Sequence, residues 1–448
     1  MSGRLFGTDG IRARFGEPPL VEATVRRIGF ELGRLLAERD STPTVLLGGD
    51  TRASSPLLAD WVASGLAAAG VRAVELGVVP TAAIARLVPA RGAAAGVVLS
   101  ASHNPAEDNG IKLIAPDGFK WSRDDEEILE RRLAAAEPPP PSAAAPVTTD
   151  LSAVAEYLEL LTRLVPGDRP LSGLRVALDC AHGAASGVAR ALFERLGAAV
   201  ETMFDRPDGA NINRDCGSTH PDALVERVRA GGFDLGFAFD GDADRALLVD
   251  ERGTLRDGDA MLYLWATDLA RRGELEPRDI VATSMSNLGL ERALEREGIG
   301  LVRCGVGDRE VVETLRARGA RLGGEQSGHL VDLALSTTGD GLLTAIVMTR
   351  IAAVAGRPVS ELLEGFRRYP QRLINVRVRA RPSLASLPRV ADATAEVERR
   401  LGADGRLVLR YSGTEPLARV MIEGPDDAVV DELGTHLADA IRAEIGAE

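Results

Sequence analysis

The chain has 448 residues, 45% of them hydrophobic and 4% aromatic, which is the make-up of a packed protein with room for several domains rather than of a disordered chain. Its 66 Asp plus Glu against 53 Lys plus Arg give a net charge of -13, which argues against nucleic acid or an anionic membrane as the main partner. Cys180, Cys216 and Cys304 lack the spacing of a zinc site or a disulfide scaffold, the opening MSGRLFGTDGIR has no apolar signal core, and no apolar run approaches the roughly 18 residues of a membrane span, so a cytoplasmic location is expected.

Along the chain three stretches read alike. TVLLGGD leads through a helical segment to AAAGVRAVELG, RVALDCA leads to ERLGAAVETMF, and DIVATSM leads to EREGIGLVRCG. Each is a β-rich apolar run, a loop of small residues, a helix-period segment, a glycine and a second β-rich run, which is a strand-helix-strand unit. Continuous apolar strands alternating with helices favour parallel pairing, with ligand loops at the C-terminal ends of the strands. EPPPPSAAAPVTTD (137–150) cannot continue a helix, because successive prolines remove amide donors, so a linker or edge loop is expected there. The tail differs: LINVRVRA, a helix through VADATAEVERRL, the strands RLVLRYSG and ARVMIEG, and a closing helix read as a small α+β domain. The expected organisation is three similar mixed-sheet α/β domains, 1–150, 151–254 and 255–368, with a smaller C-terminal α+β domain, 369–448, around a central cleft.

Four loops carry the candidate chemistry. In VVLSASHNPAEDNGIKL (97–113) an apolar strand delivers Ser102 into a polar turn, with His103 beside it and Lys112 further on; Ser in such a turn also serves simply to close it. FDGDADR (239–245) sets Asp240, Asp242 and Asp244 at every second position, and carboxylates so close repel unless a cation or protons neutralise them. An EF-hand shares that opening, but Arg245 holds the position that needs glycine and the flanks LGFAF and ALLVD are strand-like, so a tight Mg²⁺ turn is favoured and a solvated acidic hairpin is the alternative. GGEQSGHL (323–330) places Glu325, Ser327 and His329 in a glycine-flanked loop where a carboxylate and a hydroxyl can hold adjacent sugar hydroxyls, or where the loop is merely polar. RYSGTEPLAR (410–419) offers Arg410 and Arg419 as bidentate donors and Ser412, Gly413 and Thr414 as amides and hydroxyls for a phosphate, unless it is a plain turn between strands. Arg12 follows a glycine turn in FGTDGIR, where a lone arginine is commonly structural.

SASHNP, DGDADR, GEQSGH and R-x-SGTEP, in that order and about a domain apart, resemble the α-D-phosphohexomutases, and the resemblance spans essentially the whole chain. It implies that Ser102 is phosphorylated and completes a Mg²⁺ site with Asp240, Asp242 and Asp244. It also implies that Lys112 and His329 are the general acid–base pair, which of them is base in each half-reaction being open, that Arg12, His103 and Arg245 surround the phosphoryl group, that Glu325 and Ser327 hold ring hydroxyls, and that Arg410, Ser412, Gly413, Thr414 and Arg419 hold the phosphate that is not reacting. FGTDGIR, the alanine in DGDADR and the glutamine in GEQSGH point within the family to an isomerase of glucosamine 6-phosphate and glucosamine 1-phosphate, with glucosamine 1,6-bisphosphate as intermediate, on the route to a UDP-amino sugar. Mannose or glucose phosphates as substrates remain open, as do a Mg²⁺-dependent sugar phosphatase and a non-catalytic phosphosugar-binding relative. The partner expected is a small phosphosugar, with no nucleic acid and no membrane, and a homodimer is left as an open expectation.

Overall fold

The computed structural model describes residues 4–135, 147–412 and 415–447. They form two compact units, one of residues up to Met285 together with Ile299–Glu364, the other of Ser286–Gly298 with Gly365 onward. The first unit holds three mixed sheets and the second holds one antiparallel sheet.

The first sheet is built from β1 (Ile11–Arg14), β2 (Thr44–Gly49), β3 (Arg72–Val78), β4 (Ala95–Leu99), β5 (Asp108–Ile114) and β6 (Thr148–Thr149), in the order β1-β5-β4-β2-β3-β6. The second contains β7 (Arg175–Asp179), β8 (Ala199–Met203), β9 (Leu235–Phe239), β10 (Ala246–Asp250) and β11 (Leu255–Arg256), in the order β11-β10-β9-β7-β8. The third contains β12 (Asp279–Thr283), β13 (Gly300–Cys304), β14 (Leu322–Gly324) and β15 (Leu330–Asp332), in the order β13-β12-β14-β15. In all three the apolar runs joined by helices pair in parallel, as β2 does with β3 and β4, β7 with β8 and β9, and β12 with β13 and β14. The inner strands β2, β4, β7, β9, β12 and β14 are buried along nearly their whole length, β4 and β9 completely, while the outer β3, β8 and β13 are mostly half-buried or exposed.

Each sheet then turns back on itself. β5, β10 and β15 pair antiparallel with the strand just before them, β4, β9 and β14. The loops that close these returns are 100–107, 240–245 and 325–329, so every one of the first unit's candidate motifs sits at the C-terminal end of a parallel strand and is pinned by an antiparallel neighbour. The short edge strand β6 continues the first sheet beside β3, while the prolines of the segment expected to act as a linker or edge loop lie outside the described residues.

The second unit carries β16 (Gln371–Arg377), β17 (Arg406–Tyr411) and β18 (Leu417–Glu423), in the order β16-β18-β17 and all antiparallel. The helices Pro388–Leu401 and Asp427–Ile445 close one core with this sheet, with Val376, Val397, Val420, Ile422, Leu433, Leu437 and Ile441 inside. Here too two consecutive strands, β17 and β18, pair antiparallel. The architecture is three α/β domains and a small α+β domain, and among the described residues no helix is long and apolar enough to cross a membrane.

Candidate active site

Ser102 lies three residues beyond β4, fully buried, with φ +54°. Its amide donates to Ser100 Oγ at 2.9 Å, and its own Oγ donates to Asp240 Oδ2 at 2.6 Å, so the serine loop of the first sheet meets the aspartate loop of the second. His103 Nδ1 stands 3.4 Å from Ser102 Oγ and 3.2 Å from Arg245 Nη1. Burial, then the Arg245 and Arg12 guanidinium groups, push the His103 imidazole down to about 4, so the ring is neutral and Nδ1 accepts from Arg245, which can only donate. Asn104 Nδ2 donates to Asp108 Oδ2 at 2.9 Å and closes the turn.

Asp240, Asp242 and Asp244 are all buried, and one ligand atom from each lies within 4.8 Å of the others. Ala243, at φ +54°, lets the tight hairpin turn, with its amide bonded to the Asp240 carbonyl at 3.0 Å. Burial, then Asp244 and Asp242, raise the Asp240 carboxyl well above its ordinary value. Asp242 Oδ2 accepts from Thr81 Oγ1 at 2.5 Å and from Lys112 Nζ at 2.8 Å. Its Oδ1 and that of Asp244 are buried and accept no hydrogen bond among the described residues. Two orphaned carboxylate oxygens beside a third carboxyl that resists ionisation are a donor set of hard oxygens suited to a divalent cation such as Mg²⁺.

Lys112, on β5, is buried in the acidic wall of this pocket, with Nζ 2.8 Å from Asp242 Oδ2, 3.0 Å from Asp9 Oδ2 and 3.4 Å from Asp244 Oδ2. Burial alone would lower its pKa, but Asp242, Asp9 and Asp244 together hold it well above the ordinary lysine value. The ammonium here balances carboxylates, the opposite of the depressed pKa that a lysine base requires. His329 is buried too, with Nδ1 3.6 Å from Asp244 Oδ2 and Nε2 3.9 Å from Asp308 Oδ2, and its Nε2 accepts from the Gly339 amide at 3.1 Å. Against its burial, Asp244 and Asp308 raise its pKa. A Cβ on Gly339 would meet the imidazole within 2.6 Å, so only glycine lets the ring lie there.

Several members of this network carry no sequence signal of their own. Asp9 pairs with Arg12, Lys112 and Lys120, and Lys120 also pairs with Asp308 of the third sheet's domain. Thr81 is an ordinary helix-start residue by sequence. Asp9 lies within FGTDGIR, which is the one clue available; Lys120, Asp308 and Thr81 acquire partners through packing between distant segments.

In the third sheet's loop, Glu325 Oε1 accepts from the Gly307 amide at 3.1 Å, and the exposed Ser327 donates to Oε2 at 3.4 Å, so both side chains are half-open to a ligand. In the second unit, Arg410 and Arg419 stand directly opposite each other on β17 and β18, on one face. Like charges so placed repel unless an anion sits between them. Arg419 Nη2 bonds Glu415 Oε2 at 2.9 Å while its buried Nε has no acceptor among the described residues, and the buried Ser412 Oγ accepts from the Glu415 amide at 3.2 Å. Gly413 and Thr414 lie outside the described residues.

The family described as phosphoglucomutase/phosphomannomutase matches the chain in four consecutive pieces: its alpha/beta/alpha domain I over residues 3–139, domain II over 155–253, domain III over 257–369 and its C-terminal domain over 373–440. A phosphoglucosamine mutase of Geobacillus thermodenitrificans is 43% identical over 453 residues, covering 100% of both chains. One of Halorhodospira halophila is 46% identical over 439 residues, 98% of this chain and 96% of its own. Among solved structures, a phosphoglucomutase/phosphomannomutase family protein from Burkholderia thailandensis superposes with a TM-score of 0.81 over the full length of both chains at 24% identity, a likeness of fold.

Proposed function

The chain belongs to the phosphoglucomutase/phosphomannomutase family, and from that premise we propose that it is a phosphoglucosamine mutase. It interconverts glucosamine 6-phosphate and glucosamine 1-phosphate through phosphorylated Ser102 and glucosamine 1,6-bisphosphate, in the cytoplasm. The observation that carries the chemistry is the junction of Ser102 with the aspartate loop, a buried hydroxyl 2.6 Å from Asp240 in a pocket with two orphaned carboxylate oxygens. The amino sugar rests on full-length relatives of that name.

In the first half-reaction the bond between phosphorus and Ser102 Oγ breaks as one forms to a sugar hydroxyl oxygen, the hydroxyl proton leaving to a base; in the second, the bond from phosphorus to the other sugar oxygen of the bisphosphate breaks as one forms to Ser102 Oγ, and that sugar oxygen takes a proton from an acid. Asp240, Asp242 and Asp244 would hold Mg²⁺ together with a phosphoserine oxygen. When bound, the cation supplies charge opposite the transferring phosphoryl oxygens and relieves the negative potential that keeps Lys112 protonated. Arg245 and Arg12 add fixed positive charge, and neutral His103 keeps Arg245 aimed at the loop. Lys112 and His329, which both stand against Asp244, would be the pair that handles the hydroxyl proton. Glu325 and Ser327 grip two ring hydroxyls, which lets the sugar bind in either orientation. Arg410, Arg419, Ser412, Gly413 and Thr414 take whichever phosphate is idle.

The test compares turnover of glucosamine, glucose and mannose 6-phosphates by the purified chain, with peptide mass mapping of Ser102. Preference for the amino sugar and one phosphate on that peptide are expected. Preference for glucose or mannose would reassign the substrate, and steady release of inorganic phosphate with little isomer would make the protein a phosphatase.

A further inference from the structure

Arg52 belongs to none of the motifs above, yet it is 1% exposed and lies just beyond β2. Its Nε donates to Asp50 Oδ2 at 2.9 Å, and its remaining donors reach three carbonyls of the serine loop, Ser102 at 3.1 Å, Asn104 at 2.8 Å and Pro105, and that of Asp108 at the start of β5 at 2.9 Å. Asn213, from a loop of the second sheet's domain, donates through Nδ2 to two of the same carbonyls, Ser102 at 2.9 Å and Asn104 at 3.0 Å. Asp50 Oδ2 also accepts from Ser100 Oγ at 2.5 Å, and that oxygen in turn accepts from the Ser102 amide. A serine at φ +54° is held in a region that costs on the order of 1 kcal/mol and persists only where its surroundings over-determine it. Here a guanidinium fork from one domain and an amide from the next supply that constraint.

We infer that Arg52 and Asn213 are positioning residues, a clamp shared by the first two domains that fixes Ser102 for phosphoryl transfer and favours a sugar hydroxyl over water as acceptor. The inference rests on the phosphoserine reading. Transfer to a bound sugar needs the phosphorus, the Ser102 oxygen and one particular hydroxyl in line, and a displacement of about 1 Å costs about 100-fold. Water must attack in line as well, but being small and free to approach from many sides it meets a displaced phosphoryl group where the one bound hydroxyl no longer can. In the leak, the bond between phosphorus and Ser102 Oγ breaks, one forms to the water oxygen, and a water proton passes to Oγ, leaving free serine and inorganic phosphate. Because Asn213 comes from the domain that carries Asp240, the clamp also keeps the serine loop in register with the aspartate loop.

The experiment uses the full chain and three variants: Asn213→Ala, Arg52→Lys, which keeps the charge but loses the planar fork, and Thr51→Val. Thr51 Oγ1 donates to the His182 carbonyl at 2.6 Å, another hydrogen bond between the same two domains that leaves the serine loop alone. Measured are kcat, KM, inorganic phosphate released per isomer formed, and Tm. Asn213→Ala and Arg52→Lys are expected to lower kcat by about 10- to 100-fold with KM within about 2-fold, and to raise phosphate per isomer by about 10-fold. Thr51→Val should lose a comparable Tm without either kinetic change. Equal kinetic damage in Thr51→Val, or wild-type kcat and phosphate ratio in Asn213→Ala, would overturn the clamp, and the asparagine variant decides it even if Arg52→Lys does not fold. A wild-type chain that makes no isomer and takes no phosphate on Ser102 would instead remove the function on which the clamp rests.

Discussion

Asp179, at the end of β7, shows what burial without a cation does to a single carboxyl. It accepts from the amides of Ala181 at 2.9 Å and Gly217 at 2.8 Å, and among the described residues no arginine or lysine pairs with it. Burial outweighs both hydrogen bonds and pushes the group up to about 6. The folded value lies above the unfolded one, so the contribution to stability is complete below about pH 4 and is lost as the pH rises to about 6, a loss of about 3 kcal/mol for a shift of about two units. Asp179→Asn cannot titrate. Its stability relative to the wild type should therefore improve by about 3 kcal/mol between pH 4 and pH 7 in urea unfolding, and a gap that ignores pH would show that the carboxyl ionises normally. The contrast with Lys112 is instructive: there too burial opposes charge, but three carboxylates reverse the balance.

At the scale of elements, the helices Glu22–Ala37 and Ser55–Ala68 approach so closely that glycine is required on both. A Cβ on Gly65 would lie 2.1 Å from the Arg26 carbonyl oxygen and 2.6 Å from the Phe30 nitrogen, and one on Gly29 would lie 2.3 Å from the Val62 carbonyl oxygen. Alanine ordinarily favours a helix by about 1 kcal/mol over glycine. Here the obstructing atoms are backbone and cannot yield, so Gly65→Ala should lose about 3 kcal/mol or more, read as a lower Tm; a gain would mean that the helices stand further apart. Elements of this kind are legible in the sequence where hydrophobic period and length agree, as in TVLLGGD or RVALDCA, and the strand-like flanks of FDGDADR speak for a tight turn between strands over an EF-hand. The direction of β5, β10 and β15 was not legible, because an apolar run does not encode whether its neighbour runs with or against it. The motifs name Ser102, Lys112, the three aspartates, Arg245 and His329, and these fall in one bonded network. Their companions Thr81, Asp9, Lys120 and Asp308 do not announce themselves, since each owes its role to a partner far along the chain, as Thr81 does to Asp242.

For the whole molecule the recurrent device is a pair of consecutive antiparallel strands flanking each candidate motif, present in all four sheets, so that the candidate motifs lie at equivalent places on unequal domains. The aspartate loop has a consequence beyond catalysis. A chain of net charge -13 that buries Asp240, Asp242 and Asp244 together leaves two carboxylate oxygens without hydrogen-bond donors among the described residues, and the Asp240 carboxyl, raised by burial and then by its two neighbours, marks repulsion that Lys112 does not cancel. A divalent ion that binds the fold and not the unfolded chain stabilises it by mass action, about 2.7 kcal/mol when its concentration is 100 times Kd. Spread over a chain of this length, that free energy corresponds to a rise in Tm of about 3 °C. Mg²⁺ added to metal-free protein should produce such a rise without any sugar present, and EDTA should reverse it. Asp242→Asn, which removes one of the charges, should raise the Tm of the metal-free form and abolish the response to Mg²⁺. A wild-type Tm indifferent to Mg²⁺, together with a destabilised metal-free Asp242→Asn, would mean that Lys112 and Thr81 already satisfy the aspartates and that the loop is a structural ion-pair cluster.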